Sequence, residues 1–198
     1  RRLGKYDRAI EHYERALAIA QEYNFRSLEG SAIGMLGHCY RKLGNYTQAI
    51  KSYEEWLNLS RQIGRRSQEG LALTSLGNAY DELENYNQAV QYYQQALNIA
   101  KGVGDRAAEG SALTNLGSTQ FALELYPESL DSLQSALSIF REIGYRSGEA
   151  ETLRNLAELY YLMDQADSAY SSCEQALDIA TQLNMPLAKS CQELKEAI

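Results

Sequence analysis

Few side chains in this sequence are of the types that do chemistry, and their spacing keeps most of them apart. The only histidines are His12 and His38. His38 is next to Cys39, but neighbouring positions on a helix diverge by about 100°, so imidazole and thiol do not form a nucleophile–base pair there. Gly30, Gly34 and Gly37 are close in sequence, yet phosphate-cradling glycines need a strand before them and a helix after them. Here the apolar spacing runs through all three as one helix. Cys39, Cys173 and Cys191 are odd in number and have no zinc spacing, and no acidic run has the spacing of a calcium loop. They are expected to be free buried thiols of a reducing compartment, which places the chain in the cytoplasm. The chain is expected to have no catalytic residues, no cofactor and no metal. Arg–Glu pairs three apart remain: Arg66/Glu69, Arg106/Glu109 and Arg146/Glu149. On a helix such residues are neighbours, and an exposed pair contributes only ~0.2–0.5 kcal/mol. Their recurrence reads as a structural link between repeats.

That recurrence is the organising fact of the chain. Asn24, Gly64, Gly104, Gly144 and Asn184 mark a period of 40 residues without insertion or deletion. Arg26, Arg66, Arg106 and Arg146 keep the same step, as do Glu29, Glu69, Glu109 and Glu149, and so does the series Tyr6, Tyr46, Tyr86 and Tyr126. A fixed period of this size means stacked supersecondary units, none of which buries its apolar face alone.

Within one period, Leu73, Leu76, Gly77 and Tyr80 fall on one helical face. After Leu83-Glu84-Asn85-Tyr86 a second stripe begins, with Ala89, Val90, Tyr93, Ala96, Leu97 and Ala100, and Gly104 ends it. Gly and Asn in that last slot predict a residue at positive φ just past a helix. The other turn reads as looser, because Gly4 and Gly44 give way to Glu84, Glu124 and Asp164. Pro127 suits a first helical turn. Each period is thus expected to be two antiparallel helices of roughly 16–18 residues, about 25 Å long. Small residues recur at close approaches: Gly37, Gly77, Gly117 and Ala157 in the first helix, and Ala9, Ala49, Ala89, Ser129 and Ala169 in the second. Trp56 stands where Ala16, Ala96, Ala136 and Ala176 recur, so that junction must open or turn the indole outward.

Leu76-Gly77-Asn78-Ala79-Tyr80, Tyr86-Asn87-Gln88-Ala89-Val90 and Tyr93-Gln94-Gln95-Ala96-Leu97 resemble the tetratricopeptide repeat (TPR) signature. With Gly-Asp-Arg-x-x-Glu-Gly at residues 104–110, the chain is similar to the long-repeat branch found in Pins/LGN-type polarity scaffolds and many bacterial proteins. Kinesin light chains and Rap-type bacterial regulators are more distant long-repeat relatives. The resemblance implies an all-α fold, a right-handed α-solenoid (superhelix) of antiparallel helix pairs with about four to five TPR units. Residues 1–24 are expected to be the second helix of a truncated repeat, and 25–64, 65–104, 105–144 and 145–184 full repeats. Residues 185–198 are expected to be a terminal capping helix or a partial repeat. In that last stretch Leu187, Cys191, Leu194 and Ile198 form an apolar stripe offset from the repeat register. Arg1-Arg2-Leu3-Gly4 match the middle of a repeat, as expected of a piece of a longer array.

In TPR arrays the first helix of each pair lines the concave face, and the resemblance carries that expectation to His38, Arg41, Thr74, Asn78, Asp81, Asn115, Ser118, Phe121, Arg154, Asn155, Glu158 and Tyr161. Amides, hydroxyls, single charges and a few aromatics suit an extended polypeptide, because Asn both donates to and accepts from a peptide backbone. Helices ~8–10 Å apart, against an advance of ~3.3 Å per ligand residue, let an asparagine ladder hold roughly every third residue. Replacing Asn78, Asn115 and Asn155 by Ala is then expected to weaken partner binding with melting unchanged.

Composition narrows the partner. The net charge is −7, with eight Lys/Arg against five Asp/Glu in residues 1–42 and eleven against twenty-one beyond. An acidic bulk argues against nucleic acid or anionic membrane, and no apolar run reaches the ~18 residues that span a bilayer. The expected function is a protein–protein interaction scaffold that holds a peptide or disordered segment of a partner in its groove. The alternative is a partner-sensing regulatory module of a longer signalling or effector protein. Self-association through open array ends is a third expectation.

Overall fold

In the computed structural model residues 3–197 are described. Arg1, Arg2 and Ile198, which entered the reading of the two termini, lie outside the described residues. Among the described residues the chain forms ten helices and no strand: α1 (Leu3–Glu22), α2 (Arg26–Lys42), α3 (Tyr46–Gln62), α4 (Arg66–Glu82), α5 (Tyr86–Val103), α6 (Arg106–Ala122), α7 (Tyr126–Ile143), α8 (Arg146–Leu162), α9 (Ala166–Gln182) and α10 (Leu187–Ala197). Two compact units divide them, Arg1–Val103 with α1–α5 and Gly104–Ile198 with α6–α10. Within each unit every helix packs on the next, so that α2/α3, α4/α5, α6/α7 and α8/α9 are antiparallel pairs.

The turns explain why the helices stop in register. Asn24, Gly64, Gly104, Gly144 and Asn184 all have φ between 52° and 72°. At Gly144 the chain closes a Schellman motif, with Tyr145 N–H donating to the Phe140 carbonyl at 2.9 Å and Gly144 N–H to Arg141. The second turn, expected to be looser, is built the same way. Gly44, Glu84, Glu124 and Asp164 have φ of 77°, 59°, 60° and 58°, and Asn85, Leu125 and Gln165 donate back to Tyr80, Gln120 and Tyr160. The backbone needs a left-handed residue there, and three repeats meet that need with a strained acidic side chain. Gly4 plays no such part, since it lies inside α1. Glu84→Gly, Glu124→Gly and Asp164→Gly are therefore each expected to add about 0.5–1 kcal/mol, relief of the left-handed strain outweighing the extra unfolded-state freedom. The check is a higher urea midpoint at an unchanged m-value.

Packing inside each hairpin follows a size rule. A Cβ added at Gly37 would stand 2.6 Å from the Tyr53 ring, at Gly77 2.5 Å from Tyr93, and at Gly117 2.7 Å from Leu133. In the fourth pair the first helix carries Ala157, and the facing residue shrinks to Cys173. Tyr53, Tyr93, Leu133 and Cys173 are all buried.

Trp56 is accommodated inside the fold. The indole lies across Gly30 and Gly34 of α2, where an added Cβ at Gly34 would meet the ring at 2.8 Å. The register holds Thr74, Thr114 and Arg154 at the Gly34 slot, so one large-for-small exchange is matched by another. Phe140 repeats the device in the second unit. It replaces the small residues Ser60, Ala100 and Ala180, is buried, and wedges between Gly110 of α6 and Gly148 of α8.

The Arg–Glu pairs differ from the exposed contacts expected of them. Glu29, Glu69, Glu109 and Glu149 are all buried. Glu69 accepts from Arg66 on its own helix and from Arg61 of α3 at 2.9 Å, and Glu149 accepts from Arg146 and from Arg141 of α7 at 3.0 Å. Gln21 of α1 reaches Glu29 in the same way. Glu29, Glu69 and Glu149 thus each tie the end of one helix to the start of the next pair, while Glu109 accepts from Arg106 on its own helix. These bonds are charge-assisted, and water screens them less than it would an exposed pair.

In the second unit α10 packs on α8 and α9, and Cys191 joins Ala150, Leu153, Cys173, Ala176 and Ile179 in one apolar cluster. The Cys173 thiol donates to the Cys191 carbonyl at 3.0 Å. All three cysteines are free and buried, and burial pushes the Cys191 thiol up to about 11. Ionisation is therefore suppressed at neutral pH, and the thiol is a poor nucleophile.

Candidate functional site

The first helix of each pair forms the inner row of its unit. In the first unit α2 touches α4, while α3 and α5 do not approach one another; in the second α6 touches α8, while α7 and α9 stay apart. The row is continued by α10, which also touches α8. Helices that converge on one side put their exposed residues on the concave side of that stack, and the sequence-expected contact residues lie on these helices.

In the first unit the row is built around one cross-helix ion pair. Arg41 of α2, its side chain mostly buried, donates to Glu82 of α4. His38 is exposed one turn earlier, and partial burial together with the neighbouring Arg41 and Lys42 charges lowers its affinity for a proton. Asn78 of α4 accepts from the Tyr93 hydroxyl at 2.7 Å, and Asp81 is half-buried beside them. Burial, with Asp81 adding to it, holds the Tyr93 phenol well above the usual range. Thr74 turns its hydroxyl back to the Gly70 carbonyl at 3.0 Å.

In the second unit the helices are joined by neutral groups. Asn155 of α8 donates to Ser118 of α6 at 2.8 Å and accepts from Arg154, which also pairs with Glu158. Deeper in, Thr114 and Thr152 share a hydrogen bond of 2.9 Å across the same two helices. Phe121 packs against Tyr126 with ring centroids 6.0 Å apart, Tyr161 is exposed, and Asn115 is half-buried.

The row thus brings together Arg41 with the α4 carboxylates in one unit, and Ser118 with Arg154, Asn155 and Glu158 in the other. These groups already serve the fold. Asn78, Asn115 and Asn155 all have partners within the chain. The expectation that their replacement by Ala leaves melting unchanged is corrected accordingly. Asn78→Ala strips the buried Tyr93 hydroxyl of its acceptor, at a cost of about 1–3 kcal/mol. Sequence reasoning also missed Glu82 and Thr152. The 40-residue step sets 41 opposite 81 and 114 opposite 154, so the register by itself points to neither partner. Among the described residues no group of three His, Cys, Asp or Glu side chains is placed to hold a metal ion, and no helix is long and apolar enough to cross a membrane.

Stacked antiparallel helix pairs with a polar and aromatic inner row define a helical-repeat interaction module. Tetratricopeptide repeat profiles match residues 28–102 and 108–183, and a further one matches residues 1–27, so the chain belongs to the tetratricopeptide repeat family. Arrays of this family are protein–protein interaction scaffolds. Among solved structures, BtubC (BKLC) from P. vanneervenii is 19% identical with a TM-score of 0.79, over 97% of this chain and 87% of that one. Apo RapI is 17% identical with a TM-score of 0.79, over 90% of this chain and 50% of that one. A Signal Transduction ATPase with Numerous Domains (STAND) protein with a tetratricopeptide repeat sensor, from Pyrococcus horikoshii, is 21% identical with a TM-score of 0.68, over 95% of this chain and 32% of that one. At these identities the likeness is one of fold. No match was found among the curated proteins.

Proposed function

We propose that the chain is a scaffold whose inner helix rows hold an extended segment of a partner protein. The observation that carries this reading is the convergence of α2 with α4, and of α6 with α8, beneath side chains suited to a peptide. His38, Arg41 and Asp81 offer charge in the first unit, and Asn115, Phe121 and Tyr161 offer an amide and aromatic surface in the second. Thr74, Asn78, Ser118, Arg154, Asn155 and Glu158 set the shape of the rows through the bonds they make within the chain. A second reading, a partner-sensing module within a longer signalling or effector protein, is supported by coverage. The chain spans half of RapI and 32% of the STAND protein whose repeats are described as a sensor.

The test is selection of binders from a displayed random peptide library, followed by amide-shift mapping of a selected peptide on the chain. Shifts concentrated on α2, α4, α6 and α8 are expected. The Kd should rise at least tenfold in His38→Ala, for peptides held in the first unit, or in Tyr161→Ala, for those held in the second. Both side chains are exposed, so the melting curve should not move. Shifts confined to α3, α5, α7 and α9, or affinity indifferent to both substitutions, overturn the reading.

A further inference from the structure

The second unit holds a space that the first unit fills with its own aromatic ring. In the first unit, Tyr80 of α4 and Tyr92 of α5 stack, with ring centroids 5.4 Å apart and planes 11° from parallel. Two periods later Tyr160 of α8 keeps the slot of Tyr80, but Ser172 of α9 takes the slot of Tyr92. A cavity of about 410 Å³ opens there between α7 and α9, with Tyr160 and Ser172 both on its lining. Its floor is Leu153 and Leu156 of α8, both buried. In the repeat between, Gln120 and Ser132 hold the same two slots and close on each other with a hydrogen bond of 2.7 Å. Tyr160 turns instead to α7. Its hydroxyl accepts from Gln134 at 3.0 Å, and its ring packs on the cluster of Leu133, Leu156 and Leu159.

The rim says what kind of molecule carries the ring. Arg141 of α7 donates to Gln175 of α9 at 2.8 Å and to Glu149, so the two walls are braced apart and the guanidinium charge is partly met. Gln134, Ser138 and Gln175 complete an exposed rim of amides and a hydroxyl. Amides both donate and accept, as a peptide backbone requires of its host. Tyr40 and Ser52 repeat the Tyr/Ser pair in the first unit, but there Glu14 and Glu55 replace the two glutamines, and a carboxylate only accepts. We propose that the α7–α9 groove takes an aromatic side chain of a partner polypeptide. The ring stacks on Tyr160 as Tyr92 stacks on Tyr80, and the partner's backbone bonds to the amides of the rim. Leu153, Leu156 and Tyr160 lie on another face of α8 from Arg154, Glu158 and Tyr161. The inference therefore stands whether or not the inner rows bind a peptide.

The test uses Ser172→Tyr, which copies the Tyr92 arrangement and closes the groove from within. That chain should melt no lower than the parent. A lower melting temperature would mean that the space does not admit a ring, and the proposal falls. A displayed random peptide library is then selected on the parent chain, with Ser172→Tyr as the counter-target. The recovered peptides should share an aromatic residue and shift amides on α7 and α9. Changing that residue to Leu, or Tyr160→Leu in the chain, should raise the Kd at least tenfold, the amide spectrum confirming that the Tyr160→Leu chain is folded. Four further results overturn the proposal: no peptide that distinguishes parent from Ser172→Tyr, affinity indifferent to both Leu changes, shifts on α6 that spare α7 and α9, or a parent chain that light scattering finds dimeric and Ser172→Tyr makes monomeric. In that last case a second copy of the chain supplies the ring.

Discussion

Gly34→Thr is expected to destabilise the first unit by about 3 kcal/mol, and Trp56→Ala in the same chain is expected to recover most of the loss. Threonine is the natural residue at this slot in two other repeats, so intrinsic propensity does not forbid it. The obstacle is the indole. An added Cβ at Gly34 would stand 2.8–3.0 Å from three Trp56 ring atoms, and the hydroxyl and methyl of threonine extend further into the same space. Trp56→Ala alone is expected to cost about 3 kcal/mol, because it opens a void against Gly30 and Gly34. The double variant restores the pairing that Thr74/Ala96 and Thr114/Ala136 already use. A double-mutant cycle by urea denaturation should give a coupling energy above 2 kcal/mol. Additive effects would show that the two positions do not share one packing problem.

Gly77→Ala is the second large effect, with an expected loss of about 2 kcal/mol. In an exposed helix interior this change favours folding by about 1 kcal/mol, so the sign of the result is diagnostic. Here the new methyl would lie 2.5–2.9 Å from three atoms of the Tyr93 ring. The ring cannot swing aside, because it is buried and its hydroxyl is held by Asn78. Overpacking of this kind costs ~1–3 kcal/mol and outweighs the helix-propensity gain. Gly102→Ala is the control, since nothing lies within 4 Å of its added Cβ, and it should stabilise slightly. If Gly77→Ala raised the melting temperature as Gly102→Ala does, the Gly–Tyr contact would not be limiting.

Much of the architecture was legible in the sequence because it rests on local rules repeated at a fixed step. The positive-φ slot at Asn24, Gly64, Gly104, Gly144 and Asn184 is a demand on one residue, and only Gly and Asn fill it. The helix pairs follow from apolar spacing, and the small residues at 37, 77, 117 and 157 follow from close approach. The second turn was misread for an instructive reason. Glu84, Glu124 and Asp164 are poor left-handed residues, yet the Schellman hydrogen bonds and the packing of the helices they join hold them there. The sequence by itself also marked Trp56 as a departure and placed the candidate row residues on the first helix of each pair.

Only the tertiary structure decided how those departures are resolved and what the row residues already bind. Trp56 with Gly34, and Phe140 with Gly148, are exchanges between residues on different helices, and a repeat register read one column at a time does not connect them. The Arg–Glu pairs have the same spacing whether exposed or buried. It takes Arg61 and Arg141, arriving from the preceding helix, to make the carboxylates clamps between repeats. Asn78 and Asn155 looked like groups held ready for a ligand, and the fold sets them against Tyr93 and Ser118. The physical reason is the same in each case. Helical periodicity determines which side of a helix a residue occupies, whereas its burial, partners and charge environment depend on the helix that packs against that side.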